Sequence, residues 1–228
     1  MVRALFLCAC LALMPTGVDA GPAELCASAE DPWARLTACT EVIESGSWPG
    51  VQAGWAFSNR AMAHAKLGNH LDAFDDHDRA IKLDPFNPRA WNNRATSHAD
   101  FREYARAERD YTKALDLDPG YTTALINRAS LYLEWDKPEL ARADYDQAIK
   151  LEAEAGQSVA WLTFSRADAA CAMGDWAAAY EDRLAAFDDG SLPVDLMEET
   201  LRQKGYLPEG TGFEAGLEAW SRAGCPWD

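Results

Sequence analysis

The chain has 228 residues, with 21 Lys and Arg against 37 Asp and Glu, and a formal net charge of −16. That balance argues against nucleic acid and against anionic lipid surfaces, both of which need clustered Lys and Arg. It fits a solvated carrier or a partner with basic groups, and no segment after the first twenty residues is apolar enough for membrane insertion.

Residues 1–20 read as a signal peptide. Arg3 gives a short positive start, Ala4 to Met14 is an apolar run too short for a stable anchor, and Pro15-Thr16-Gly17 break it. Val18-Asp19-Ala20 offers small residues for cleavage after Ala20, so a periplasmic or secreted location is expected. Lipidation would need a cysteine after a small-residue box, and Cys8 and Cys10 come too early. Removing the leader leaves Cys26, Cys39, Cys171 and Cys225, which allow three pairings in an oxidising compartment. Cys26–Cys39 and Cys171–Cys225 are favoured. The first closes a short loop inside one hairpin, and the second pins the tail to the last repeat. No CxxC pair exists, so zinc spacing is absent and no metal or other cofactor is expected.

Residues 21–53 read as a degenerate hairpin, with Trp33 to Ser45 as its second helix and Cys26 on a short preceding one. Residues 54–190 then repeat themselves in units 54–87, 88–121, 122–155 and 160–190. Asn59-Arg60-Ala61, Asn93-Arg94-Ala95 and Asn127-Arg128-Ala129 are 34 residues apart, and Ser165-Arg166-Ala167 follows 38 later. Leu83-Asp84-Pro85, Leu117-Asp118-Pro119 and Leu151-Glu152-Ala153 keep the same phase, as do Ala73, Ala107, Ala141 and Ala179 and then Ala80, Ala114, Ala148 and Ala186.

Each unit is expected to be two helices, the first from Trp55 to Leu67 and the second from His70 to Leu83, with apolar residues at three- and four-residue spacing. Gly68, or Asp136-Lys137, marks the turn, and the Asp-Pro pairs stop the second helix. Small alanines let the two helices approach. Phe57, Trp91 and Leu125, with His77, Tyr111 and Tyr145, fill the space between hairpins. Arg60 and Asp76, Arg94 and Asp110, Arg128 and Asp144, and Arg166 and Asp182 are each 16 apart, which suggests a salt bridge repeated in every hairpin.

The tail, 191–228, is expected to hold helices over Val194 to Lys204 and Phe213 to Ala223, capping the last repeat. Its Leu201, Gly205-Tyr206, Gly212-Phe213, Leu217 and Trp220 faintly resemble a peptidoglycan-binding helical module.

The 34-residue period, the aromatic anchors, the paired alanine columns and the terminal prolines resemble the tetratricopeptide repeat family over about residues 54 to 187. Ala61, Ala95, Ala129 and Ala167 stand where that family has glycine, and His64 and His98 where it has tyrosine. The resemblance implies an all-α, right-handed solenoid of about four to five stacked hairpins with a C-terminal helical cap. It implies a concave groove, lined by the first helices, that takes an extended peptide or partner helix. Asn59, Asn93 and Asn127 match a column that often bonds a ligand's backbone, and an equally open reading has them tying adjacent helices together. Met62, Arg89, Asn92, Thr96, Ile126 and Ser130 would share that face.

The family's cationic clamp for acidic C-termini is largely missing. Asp100, Glu134 and Asp168 intrude, so a neutral or basic protein or peptide partner is expected. His64, His77 and His98 could meet between hairpins as a metal site or pH switch, or simply replace tyrosine in packing. No nucleophile elbow, phosphate-binding glycine loop or metalloprotease helix is present. An interaction module or adaptor is therefore the first expectation. An envelope scaffold that contacts peptidoglycan or cell-wall enzymes through the tail is the second, and a metal-binding or cryptic enzyme the third.

Overall fold

The structure, a computed structural model, describes residues 21–188 and 192–224. The expected leader therefore lies outside the described residues. These contain twelve α-helices and no strand. Helices α1 (Pro22–Ser28) and α2 (Pro32–Glu44) form the degenerate hairpin, and a 3-10 turn at Gly50–Ala53 leads on. Four hairpins follow: α3 (Gly54–Lys66) with α4 (His70–Leu83), α5 (Pro88–Asp100) with α6 (Tyr104–Leu117), α7 (Thr122–Glu134) with α8 (Pro138–Glu154), and α9 (Ala160–Ala172) with α10 (Trp176–Asp188). The tail adds α11 (Val194–Gln203) and α12 (Phe213–Arg222). The stack is an α-solenoid closed by a helical cap.

Local chemistry sets the boundaries. Proline occupies the first turn of α2, α5 and α8, where its missing N–H costs nothing. Within each of the four hairpins from α3 to α10 the turn places one residue in the left-handed region: Gly68 (φ 77°), Arg102 (φ 57°), Asp136 (φ 55°) and Gly174 (φ 74°). Glycine meets that demand without strain, whereas Arg102 and Asp136 tolerate it because the turn is held from both sides. Helix α8 runs to Glu154, beyond the phase at which proline stops α4 and α6, because Glu152-Ala153 carries no such block. Gly156 (φ 72°) ends it instead, and the extra residues before α9 are absorbed there.

The alanine columns are the close crossings. All twelve alanines of the three columns in the four hairpins are at most 1 % exposed. A larger side chain at any of them would force the helices apart. Across each crossing lies the arginine column. Arg60, Arg94, Arg128 and Arg166 each donate two bonds, from Nε and Nη2, to Asp76, Asp110, Asp144 and Asp182 at 2.6 to 2.9 Å. The third arm links neighbouring hairpins. Nη1 reaches back to the second helix of the preceding hairpin, donating to Thr40 (3.3 Å), Asp78 (2.7 Å), Thr112 (3.0 Å) and Asp146 (2.6 Å).

The two ends are closed differently. At the start, a disulfide joins Cys26 to Cys39, both fully buried with Ala38, Val42 and Ala56. At the other end, Met197, Leu201, Leu207, Leu217 and Trp220 cover Ala167, Ala170, Ala179 and Phe187 of the last hairpin. Arg183, fully buried, sits 4.1 Å from the Trp220 ring centre and donates to Asp168 at 2.9 Å and to the Cys171 sulfur at 3.0 Å. A Cβ on Gly216 would stand 2.8 Å from the Leu207 side chain, so only glycine lets α12 approach this closely. Cys225, the expected partner of Cys171, lies outside the described residues. None of the helices among the described residues is long and apolar enough to cross a membrane.

Removing the Asp144 carboxylate strands a half-buried guanidinium. Asp144→Ala is expected to cost about 3 kcal/mol in urea unfolding, while Arg128→Met with Asp144→Leu recovers most of it. A double variant no more stable than the single one would show that the pair does more than satisfy its own charges.

Candidate functional site: the concave cleft

The first helices α3 and α5 and the start of α7 enclose a cleft of about 400 Å3. Trp55, Ser58, Asn59, Arg89, Asn93 and Tyr121 are among the lining residues, none of which is a carboxylate. Trp48, 42 % exposed, stacks edge-on against Trp55 and extends the aromatic wall toward solvent.

The asparagines divide their roles. Asn93 donates through Nδ2 to the Ser58 hydroxyl at 2.9 Å, and Asn127 donates to Asn92 Oδ1 at 3.1 Å. Each bond spans 35 residues and ties one first helix to the one before it. Asn92 is 4 % exposed and also donates to Asn93 (3.3 Å), so it braces the stack instead of facing the groove as expected. Asn59 forms no side-chain hydrogen bond among the described residues and lines the cleft with both amide groups available. Half-buried Ile126 packs against the core of the third and fourth hairpins. Met62 is half-buried, and Arg89, Thr96 and Ser130 are exposed.

Further along, the second-helix column sends polar tips toward the first helices. Tyr111 pairs with the Thr96 hydroxyl (3.1 Å) and Tyr145 with that of Ser130 (3.4 Å). Burial pushes the Tyr111 hydroxyl up to about 12, and Asp100 and Glu134 nearby push the same way. Asp168, expected as a third groove carboxylate, is instead held by Arg183, which occupies the tyrosine column in the last hairpin. Only Asp100 and Glu134 of that expected trio stand exposed.

The histidines do not converge. His64 Nε2 lies 4.0 Å from Asp76, and its equivalent His98 contacts Glu103 at 2.6 Å and Asp110 at 3.7 Å, each within its own hairpin. His77 is fully buried and bonds Ser97 of the next hairpin through Nε2 at 2.9 Å. Among the described residues no group of three His, Cys, Asp or Glu could hold a metal ion. The expectation that the three histidines meet fails because His64 and His98 sit one repeat apart, each facing the aspartate of its own crossing, while His77 is engaged by Ser97.

Residues 88–121 and 122–154 each match the family model of the tetratricopeptide repeat. These two units are tetratricopeptide repeats. No curated protein matches its sequence. Among solved structures, pilF of Pseudomonas aeruginosa aligns with a TM-score of 0.58 at 16 % identity, over 83 % of this chain and 80 % of that one. MamA aligns at 0.57 and 15 %, over 69 % and 88 %. The first tetratricopeptide domain of the human RPAP3 protein aligns at 0.50 and 25 %, over 55 % and 96 %. The first two likenesses show the fold alone. A tetratricopeptide array is a protein-interaction module, and this chain is built as one.

Its buried histidine makes folding pH-dependent. Burial, then the charges of Arg94 and His98, pushes His77 down to about 3, and its Nδ1 has no hydrogen-bond partner. The folded state therefore keeps His77 neutral while the unfolded chain protonates it below about pH 6.5. Stability present above that pH is lost as pH falls toward 3. Between pH 7.5 and pH 5 the loss from this group is expected to be about 2 kcal/mol. His77→Gln should remove that increment from the difference between urea titrations at the two pH values, and an unchanged difference would rule out His77 as its source.

Proposed function

We propose that this protein is an exported adaptor that holds an extended segment of a partner protein in the concave cleft and catalyses nothing itself. The observation that carries the reading is the cleft between α3, α5 and α7, where Asn59, Arg89 and Tyr121 converge on an open space walled by Trp55. Asn59 can donate to and accept from a peptide backbone whatever its side chains. Asn93 and Asn127, engaged between helices, hold the wall rigid, which lowers the entropy lost on binding.

The charge preference follows position. Arg89, with no carboxylate among the cleft's lining residues, faces a neutral or acidic group of the ligand. Basic ligand side chains suit Asp100 and Glu134 further along. The tail's part is to cap the stack: Leu201, Leu217 and Trp220, which carry its resemblance to a wall-binding module, are all buried at the last hairpin.

Asn59→Ala with Arg89→Glu should weaken a peptide selected against the protein by at least about tenfold while leaving the melting temperature unchanged, because neither side chain braces the stack. Wild-type affinity in that variant would end the assignment to the cleft. Export has its own test: N-terminal sequencing of the protein from its native cell should begin at Gly21, and a mature chain beginning at Met1 would refute cleavage.

A further inference from the structure

On the opposite side of the stack, α4, α5 and α6 enclose a second cleft of about 640 Å3. Its floor is Phe74, Trp91 and His98, with Phe74 stacked on the His98 ring at 4.5 Å. Arg106, Arg109 and Lys113 form its rim on α6. They follow one helix face at i, i+3 and i+7, a row about 10 Å long. Two carboxylates also line the cleft, Asp78 and Asp110, but Arg94 occupies both. Glu103 beside it is engaged by His98 and Arg106. Arg109 and Lys113 form no ion pair among the described residues. In a chain of net charge −16 this is a positive island.

The repeats supply an internal control. One unit earlier the three rim positions are Asp72, Asp75 and Arg79, one unit later Leu140, Ala143 and Gln147, and after that Ala178, Glu181 and Ala185. The hairpin folds with any of these sets, so packing does not require the basic row in α6. The floor differs as well. Where Phe74 and His98 stack, the next interval has Glu108 accepting a bond from the Tyr132 hydroxyl at 2.9 Å.

We propose that this convex cleft docks an acidic peptide segment of a partner protein, with carboxylates spaced along the α6 row and an aromatic side chain on the Phe74–Trp91 floor. A linear row of cations suits a string of carboxylates, whereas a single phosphate calls for donors converging on one point. The site is separate from the concave cleft, so the protein holds two partners, or two parts of one, on opposite faces.

The test uses the full-length mature protein and a fluorescein-labelled peptide of Glu and Asp with one central Phe, followed by anisotropy. Binding should weaken about tenfold or more in Arg109→Glu with Lys113→Glu, two exposed positions that leave the fold unchanged. It should also fall as ionic strength rises from about 0.05 M to about 0.3 M. Ala143→Glu with Gln147→Glu, the same change one repeat later, and Asn59→Ala with Arg89→Glu in the concave cleft should leave binding intact. No binding, equal binding to the α6 variant, or loss in the concave-cleft variant would overturn the proposal. Displacement of the peptide by equimolar inorganic phosphate would also overturn it, in favour of an oxyanion pocket.

Discussion

The stack depends on one side chain used four times. In each hairpin an arginine on the first helix grips an aspartate on the second with two bonds and touches the second helix of the preceding hairpin with its remaining arm. One residue therefore sets both the angle within a hairpin and its distance from its neighbour. The net energy of such a half-buried pair is modest, because apolar residues of similar size could replace it. Its contribution is geometric. A planar guanidinium with five donors in a fixed fork admits few arrangements of three helices, and repeating it holds the same arrangement along the chain.

That rigidity frees the rest of each repeat to vary. Alanines and the arginine–aspartate fork leave little choice in the interior, while both outer surfaces are unconstrained. The concave side uses the freedom for an aromatic and amide-lined cleft. The convex side uses it for a cluster of cations in one interval only. A stack also has two ends at which an apolar face lacks a neighbour, and it is marginal unless both are covered. A disulfide closes a hairpin too short to build its own core at one end. At the other, a tryptophan lies against a buried arginine whose charge is met by Asp168. Burial lowers the pKa of Arg183, and the adjacent carboxylate offsets that desolvation.

The candidate site was less legible than the fold. Asn59, Asn93 and Asn127 share a column and look alike in the sequence, yet two of them are spent as struts, because a serine or asparagine from the preceding helix happens to lie within reach. Asp168 reads as an exposed charge of the groove until Arg183 is found on it, although the pair keeps the 15-residue spacing of Thr96 with Tyr111 and Ser130 with Tyr145. The histidines fail for a related reason. Residues in equivalent columns are held apart by the repeat translation and face their own crossings. The basic row of Arg106, Arg109 and Lys113 could have been found by comparing repeats for charge as well as for apolar residues.

The sequence by itself determined the helical hairpins, the alanine crossings and the arginine–aspartate pairs, and it favoured the short Cys26–Cys39 loop among three pairings. All of these are local or recur at a constant interval, so each copy corroborates the others. Tertiary structure alone decided which polar groups are free. That depends on contacts between hairpins, where one guanidinium arm, one amide or one phenol finds a partner 16 to 35 residues away. Periodicity says which residues share a face, and only the packed stack says which of them are already engaged there.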